Sequence, residues 1–166
     1  MKTTIVMSLA FLCLSGAGPN AQAVVPPPDG GYPNFTTAEG TKALQSLTTG
    51  VANTAVGWFS LKSTVDTSFN TAVGAGTLLF NTADQNTAFG AAALLLNTTG
   101  SVNTAVGAAA LLNNTTGSEN TAIGTAALSN NHASGNTAIG NEVLRDNTTG
   151  TYNTATGSQA LFFDYE

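Results

Sequence analysis

Nine acids, one histidine and one cysteine are the residues of this 166-residue chain best suited to acid–base, metal or nucleophilic chemistry. A general base must reach the proton it abstracts and needs a partner to orient it. His132 stands alone in "SNNHASG", with no nucleophile and no repeated acid beside it, and reads as a solvated loop residue. Serines are numerous, but none occupies the Gly-x-Ser-x-Gly turn that exposes a nucleophile above a sheet. The acids are Asp29, Glu39, Asp66, Asp84, Glu119, Glu142, Asp146, Asp164 and Glu166. They share no common spacing, and the Gly-Gly-x-Gly-x-Asp repeat that builds a calcium ladder is absent. Glycoside hydrolysis requires two carboxyl groups held across one bond, and the sequence clusters no such pair. Glu142 and Arg145 stand three apart and suit a surface ion pair. The sequence therefore predicts no catalytic, cofactor-binding or metal-binding residues and no enzyme.

Composition narrows the classes further. Only 8% of the residues are charged, where an ordinary globular domain carries roughly a quarter. Asn, Thr, Ser, Gly and Ala must therefore cover the outside. With four Lys and Arg in a formal net charge of −5, no basic stripe can form, which excludes nucleic acid as a partner.

Residues 1–23 form a separate object. Lys2 gives a positive start, Ile5 to Leu14 is an apolar run, and Ala21-Gln22-Ala23 has the form of a cleavage site, as in a secretory signal peptide. The competing reading, a membrane anchor, needs a longer run followed by a stop-transfer pattern. The expected location is extracellular or on a cell surface. Cys13 is not preceded by a convincing lipobox. Because it lies in this segment, the mature chain is expected to carry neither thiol nor disulfide, so something else must stabilise the fold. The longest later apolar run, Ala91 to Leu96, falls far short of the roughly 18 residues a membrane span needs. Residues 24–35 contain "VVPPPDGGYP" and read as an extended Pro/Gly-rich linker.

Residues 36–166 are an array. The block Asn-Thr-Ala-apolar-Gly begins at Asn53, Asn70, Asn86, Asn103, Asn120, Asn136 and Asn153, with a degenerate first copy at Thr36. The starts differ by 17, 17, 16, 17, 17, 16 and 17 residues. A fixed period of this length marks a solenoid, in which no rung buries an apolar face alone but stacked rungs share a core. Alignment gives a Gly column (Gly40 to Gly157), a Leu column (Leu44 to Leu161), and Thr and Ala columns without exception (Thr37 to Thr154, Ala38 to Ala155). A bulky column of Val56, Val73, Phe89, Val106, Ile123 and Ile139 ends in Glu39 and Thr156, as capping rungs would. The residue missing from the two short rungs falls between Leu78 and Asn86 and between Leu128 and Asn136, where loops tolerate deletion.

Thr-Ala-Val is a short β-branched strand signal. Alternation places Thr and the bulky residue on one face and Ala on the other, and the bulky residue suggests that the Thr face is the buried one. Gly then ends the strand. Stacked Asn side chains can hydrogen-bond from rung to rung. In the second half of the rung, Gly, Ala and Leu stand at a helical i, i+3, i+4 spacing, so "GAAALLNN" suits a short helical turn, with a second strand as the competitor. The fold class is thus a parallel β-solenoid, or β-roll, of eight rungs about 4.7–4.9 Å apart.

The "NTAVG" and "NTAIG" blocks, with Ala-Leu and "NTTG" at fixed offsets over Thr36 to Leu161, resemble the head repeats of trimeric autotransporter adhesins and related surface-fibre repeats. The resemblance implies a β-roll, three chains packed side by side, and a surface that adheres to matrix or host molecules. The family's head rungs are typically shorter, and its heptad stalk and anchor strands have no counterpart here.

The expected function is a secreted, non-enzymatic structural or adhesive module. It would bind an extracellular matrix, glycan or surface ligand multivalently through a repetitive Asn/Thr surface. Leu78-Leu79-Phe80 with Leu94-Leu95-Leu96, and Trp58-Phe59, are candidate association strips for a homotrimer. An ice-binding solenoid is the alternative, disfavoured by the buried Thr face, and a secreted enzyme acting on polysaccharide comes last. Asn34, Asn97, Asn114 and Asn147 match the N-glycosylation sequon, a match the repeat itself generates.

Overall fold

The computed structural model describes residues 33–162. The expected leader, residues 1–23, lies outside them, as do most of the linker and the last four residues. The chain is a β-solenoid with eight three-residue strands: β1 (Thr37–Glu39), β2 (Thr54–Val56), β3 (Thr71–Val73), β4 (Thr87–Phe89), β5 (Thr104–Val106), β6 (Thr121–Ile123), β7 (Thr137–Ile139) and β8 (Thr154–Thr156). They form one parallel sheet in sequence order. The register is strict: Thr104 pairs with Thr121, Ala105 with Ala122 and Val106 with Ile123. Each rung therefore stacks like residue over like, as the period requires.

The sheet's inner face is Ala. Ala55, Ala72, Ala88, Ala105, Ala122 and Ala138 are fully buried, while the flanking Thr and bulky residues point outward. This reverses the expected burial of the Thr face, although the predicted pairing of Thr with Val on one side holds. The cause is the opposite wall. Leu61, Leu78, Leu94, Leu111, Leu128 and Leu144 are fully buried and pack into one cluster with the Ala column. In so narrow a rod a Leu reaching across from one wall leaves room for only a methyl group on the other, because cores fill to a fixed density.

That Leu wall is neither helix nor second strand. After each strand, Gly adopts φ of 118–136°, and the residues two and four further on have positive φ, as at Ala109 (57°) and Leu111 (51°). The spacing that imitates a helix is a run of turns in which left-handed residues alternate with ordinary ones. Successive peptide groups then point to opposite neighbours: Ala109 N–H donates back to Ala91 O at 2.9 Å and Leu111 N–H forward to Ala127 O at 3.0 Å. A helix would have spent those donors inside its own rung. The turn also lets two consecutive residues, Ala110 and Leu111, both face the core, which a strand's alternation forbids.

Two columns of Asn complete the interior. In the first, Asn103 Nδ2 donates to Asn86 Oδ1 (3.1 Å) and Gly117 O (2.9 Å), while its Oδ1 accepts from Asn120 N–H (3.0 Å) and Asn120 Nδ2 (3.1 Å). A second column, Asn81, Asn97, Asn114, Asn131 and Asn147, runs alongside with its own rung-to-rung bonds of 2.7–3.2 Å. The two converge on one carbonyl per rung, since Gly117 O also accepts from Asn114 Nδ2 at 2.8 Å. Buried amides are tolerable only when so satisfied. The short rungs lose their residue at this corner, as expected. Ala133 O then takes the place of the Gly carbonyl, with Asn131 Nδ2 bonding two residues ahead at 2.7 Å instead of three.

Residues 33–35 meet one corner of the first rung. Pro33–Phe35 form a 3₁₀ turn, and Asn34 O accepts Ala52 N–H at 2.8 Å.

Candidate functional site

Because Ala takes the inner face, the outer face of the sheet carries the Thr and bulky columns over the length of the rod. Phe89 is 58% exposed, Ile139 41%, Ile123 39% and Val106 36%. Val56 and Val73 are half-buried in the same column. Beside them Thr54, Thr71, Thr87, Thr104, Thr121 and Thr137 are half-buried or exposed. Among the described residues no protein group takes up their hydroxyls. By contrast, outer Thr at the rung corners are engaged at several rungs: Thr98 Oγ1 donates to Thr115 O at 2.7 Å and Thr82 Oγ1 to Thr98 O at 2.9 Å. The sheet face has no charged residue from β2 to β7, the parallel strands bring its side chains into straight files, and it ends at Glu39 and Thr156. It can offer apolar contact and ordered hydroxyls; it has no group suited to proton transfer.

A third file flanks it. The residue before each block Asn has positive φ, and it includes exposed Phe69 (59%), Val102 (50%) and Tyr152 (80%). Left-handed backbone is unfavourable for a β-branched residue such as Val102, so local conformation alone does not account for an exposed valine there.

At the N-terminal end of the rod, the small residues that follow the strand in middle rungs (Ala91-Ala92, Ala108-Ala109) give way to Trp58-Phe59. The two rings stack with centroids 4.0 Å apart and planes 22° off parallel. Lys62 Nζ lies 4.5 Å and Lys42 Nζ 5.4 Å from the Phe59 centroid. Trp58 is 56% exposed. The association strips expected from sequence are split by the fold. Leu78 and Leu94 are core, Leu79, Leu95 and Leu96 are half-buried, and Phe80 and Trp58 reach solvent. Sequence reasoning missed the sheet face itself, which presents the file from Val56 to Ile139 to solvent.

The Asn residues expected to decorate the surface are interior. Asn97, Asn114 and Asn147 are fully buried with their side-chain amides donating to Gly100, Gly117 and Gly150 carbonyls. Those three sequons are closed to modification once the rung has formed.

Asp84, Glu142 and Asp146 bond within the scaffold. Asp84 Oδ1 accepts Ser68 N–H at 2.8 Å, the position filled elsewhere by a Ser hydroxyl, as Ser118 Oγ does for Ser101 N–H at 3.1 Å. Asp66 and Asp84 border one open depression of about 320 Å³, a proximity the sequence did not reveal. The expected pairing of Glu142 with Arg145 is present at 3.9 Å, and Asp146 shares that guanidinium at 3.6 Å. His132 is exposed, its Nδ1 3.1 Å from Thr115 Oγ1. Among the described residues no three His, Cys, Asp or Glu side chains gather as a metal site, and no helix is long and apolar enough to cross a membrane.

No family model, curated protein or solved structure matches the chain.

Proposed function

We propose that the protein is a secreted, non-enzymatic structural or adhesive module that acts through the outer face of its sheet. The observation that carries this reading is the file of Val56, Val73, Phe89, Val106, Ile123 and Ile139 beside unengaged Thr hydroxyls. An exposed, regular apolar surface of this kind is the usual mark of an interface. Its contacts repeat with the rungs, so a periodic or multivalent partner gains avidity that no single contact could give. The adhesive surface is thus one of Thr and β-branched side chains; the Asn ladders serve the interior. The resemblance of the blocks to trimeric autotransporter adhesin heads suggests that part of this face is buried between three copies, leaving the corner Thr residues and the rung ends to meet a matrix, glycan or cell-surface ligand.

Solution mass tests the arrangement. Residues 24–166 are expected to run as a trimer by light scattering, and Ile123→Glu, which puts a charge into the middle of the file, is expected to leave a folded monomer. A wild-type monomer at micromolar concentration would remove the trimer reading.

Ice binding is the second reading, and the outward strand Thr column favours it, contrary to what burial of that face would have implied. Thermal hysteresis at micromolar protein, abolished by Thr104→Lys, is its expected signature. Freezing behaviour equal to that of a control protein would eliminate it.

A further inference from the structure

We infer that the left-handed file beside the sheet, which holds Phe69, Val102 and Tyr152, is a contact edge for a second copy of this chain, whose Val56–Ile139 file lies against it rung for rung. This deepens the side-by-side reading of the sheet face and rests on it. The residue before each block Asn takes positive φ, from 54° at Ala52 to 76° at Gly135. Its backbone is committed to the preceding rung, as Phe69 N–H donates to Val51 O at 3.0 Å and Tyr152 N–H to Ser134 O at 3.2 Å. Such backbone favours Gly or Asn and is costly for a β-branched side chain. Gly135 is the residue that conformation alone would select in this column, and Val102 is the one it would reject. Val102 recovers little inside its own chain, since it is 50% exposed, and Phe69 and Tyr152, at 59% and 80%, recover no more. Strain kept at a residue whose side chain faces water points to a contact made outside the chain.

Periodicity names the partner. A surface that meets this edge along its length must repeat with the rungs, about every 4.7–4.9 Å. A second copy has that repeat by construction, whereas a foreign protein or a glycan would need the same repeat to engage more than one rung. Symmetry then fixes which of its files arrives. Rotation about an axis parallel to the rod keeps like rungs at one height and exchanges left for right. The left-handed edge of one face therefore meets the opposite edge of the next face, which is the bulky file. Val102 then lies against the partner's Val106, Phe69 against the partner's Val73 and Tyr152 against the partner's Thr156. Charge agrees with this pairing. Glu119 is the one charged residue of the column from Ala52 to Tyr152. The arrangement sets it beside the partner's Ile123 and keeps the Glu119 carboxylates of different copies apart.

The test is disulfide trapping in residues 24–166, which contain no cysteine. In Val102→Cys/Val106→Cys the two thiols of one chain stand about 10–13 Å apart along the strand, beyond the reach of a disulfide, while each faces its counterpart on a neighbouring copy. Oxidation of the assembled protein with oxidised glutathione is expected to give a covalently closed ring on non-reducing electrophoresis. Val102→Cys/Ile139→Cys, displaced by two rungs, and Val102→Cys alone should remain single chains. A second measurement separates contact from local structure. Val102→Asn suits left-handed backbone, so it should raise the unfolding midpoint in the Ile123→Glu background, where copies are apart. In the wild-type background it should weaken association at least tenfold. Linking by Val102→Cys alone, or by the displaced pair as readily as by the aligned one, overturns the proposal. So does unchanged association in Val102→Asn. An assembled protein that the aligned pair fails to link removes this proposal and leaves the trimer reading standing. A closed ring of two chains upholds the file pairing and removes the trimer reading, and a wild-type protein of single-chain mass removes both.

Discussion

A buried asparagine in this chain is a structural atom pair, and its neighbours depend on it. Removing the Asn103 side chain would strip Asn120 of the acceptor for both its backbone N–H and its amide, and would leave Asn86 Oδ1 and Gly117 O each one donor short. Each buried group left unpaired costs about 1–3 kcal/mol, so Asn103→Ala is expected to destabilise by at least about 3 kcal/mol in denaturant unfolding. Thr104→Ala, one residue on and facing water, should stay within about 0.5 kcal/mol. Equal effects at the two positions would contradict the ladder. The orientation of the strand was legible at this scale in hindsight. Ala is invariant through all eight blocks while the bulky column drifts from Val to Phe to Ile and ends in Glu and Thr. The Thr column is equally constant yet faces outward, so constancy orients the strand only where the residue is as small as Ala, and drift among large ones marks a surface. Reading size alone as a sign of burial gave the opposite face.

Within one rung, the strand was legible and the return path was not. Period and β-branching suffice for Thr-Ala-Val, because a strand's neighbours are the same residues one rung away. The stretch from Gly107 to Asn114 imitates a helix because Ala and Leu are good helix formers. Its conformation is set by inter-rung hydrogen bonds that local spacing does not encode. Glycine shows what those bonds require. A Cβ on Gly107 would sit 2.5 Å from Gly124 O at φ +135°, whereas one on Gly157 in the last rung meets nothing within 4 Å at φ +118°. Both substitutions carry backbone strain of about 1–3 kcal/mol, but only the first forces two rungs apart, for roughly another 1–3 kcal/mol. Gly107→Ala should therefore lower the unfolding free energy about twice as much as Gly157→Ala. Comparable losses would mean that backbone conformation, and not the approach of the next rung, selects glycine.

At the level of the whole molecule, stability is a sum over rungs and the interfaces between them. A rung is exchangeable only as a complete period, since the Ala, Leu and two Asn columns must all stay in line. Removing Asn103–Glu119, one full 17-residue period, joins Val102 to Asn120 and brings like residues back over like. Two features of the chain already point this way. Its 16-residue rungs keep every column by letting Ala83 and Ala133 carbonyls replace the corner glycine, so the corner absorbs a missing residue while the walls do not. Removal of Asn103–Ala110 alone would instead place Leu111 over the position of an Asn and leave buried amides facing hydrocarbon. The full-period deletion is expected to fold with an unchanged far-ultraviolet circular dichroism shape and a single cooperative transition, its stability lower by one rung interface. The partial deletion should lose that transition. A partial deletion that unfolds as cooperatively as the full one would show that the columns tolerate misalignment, and both the stacked core and the straight file of Val, Phe and Ile on its outer face would lose their basis.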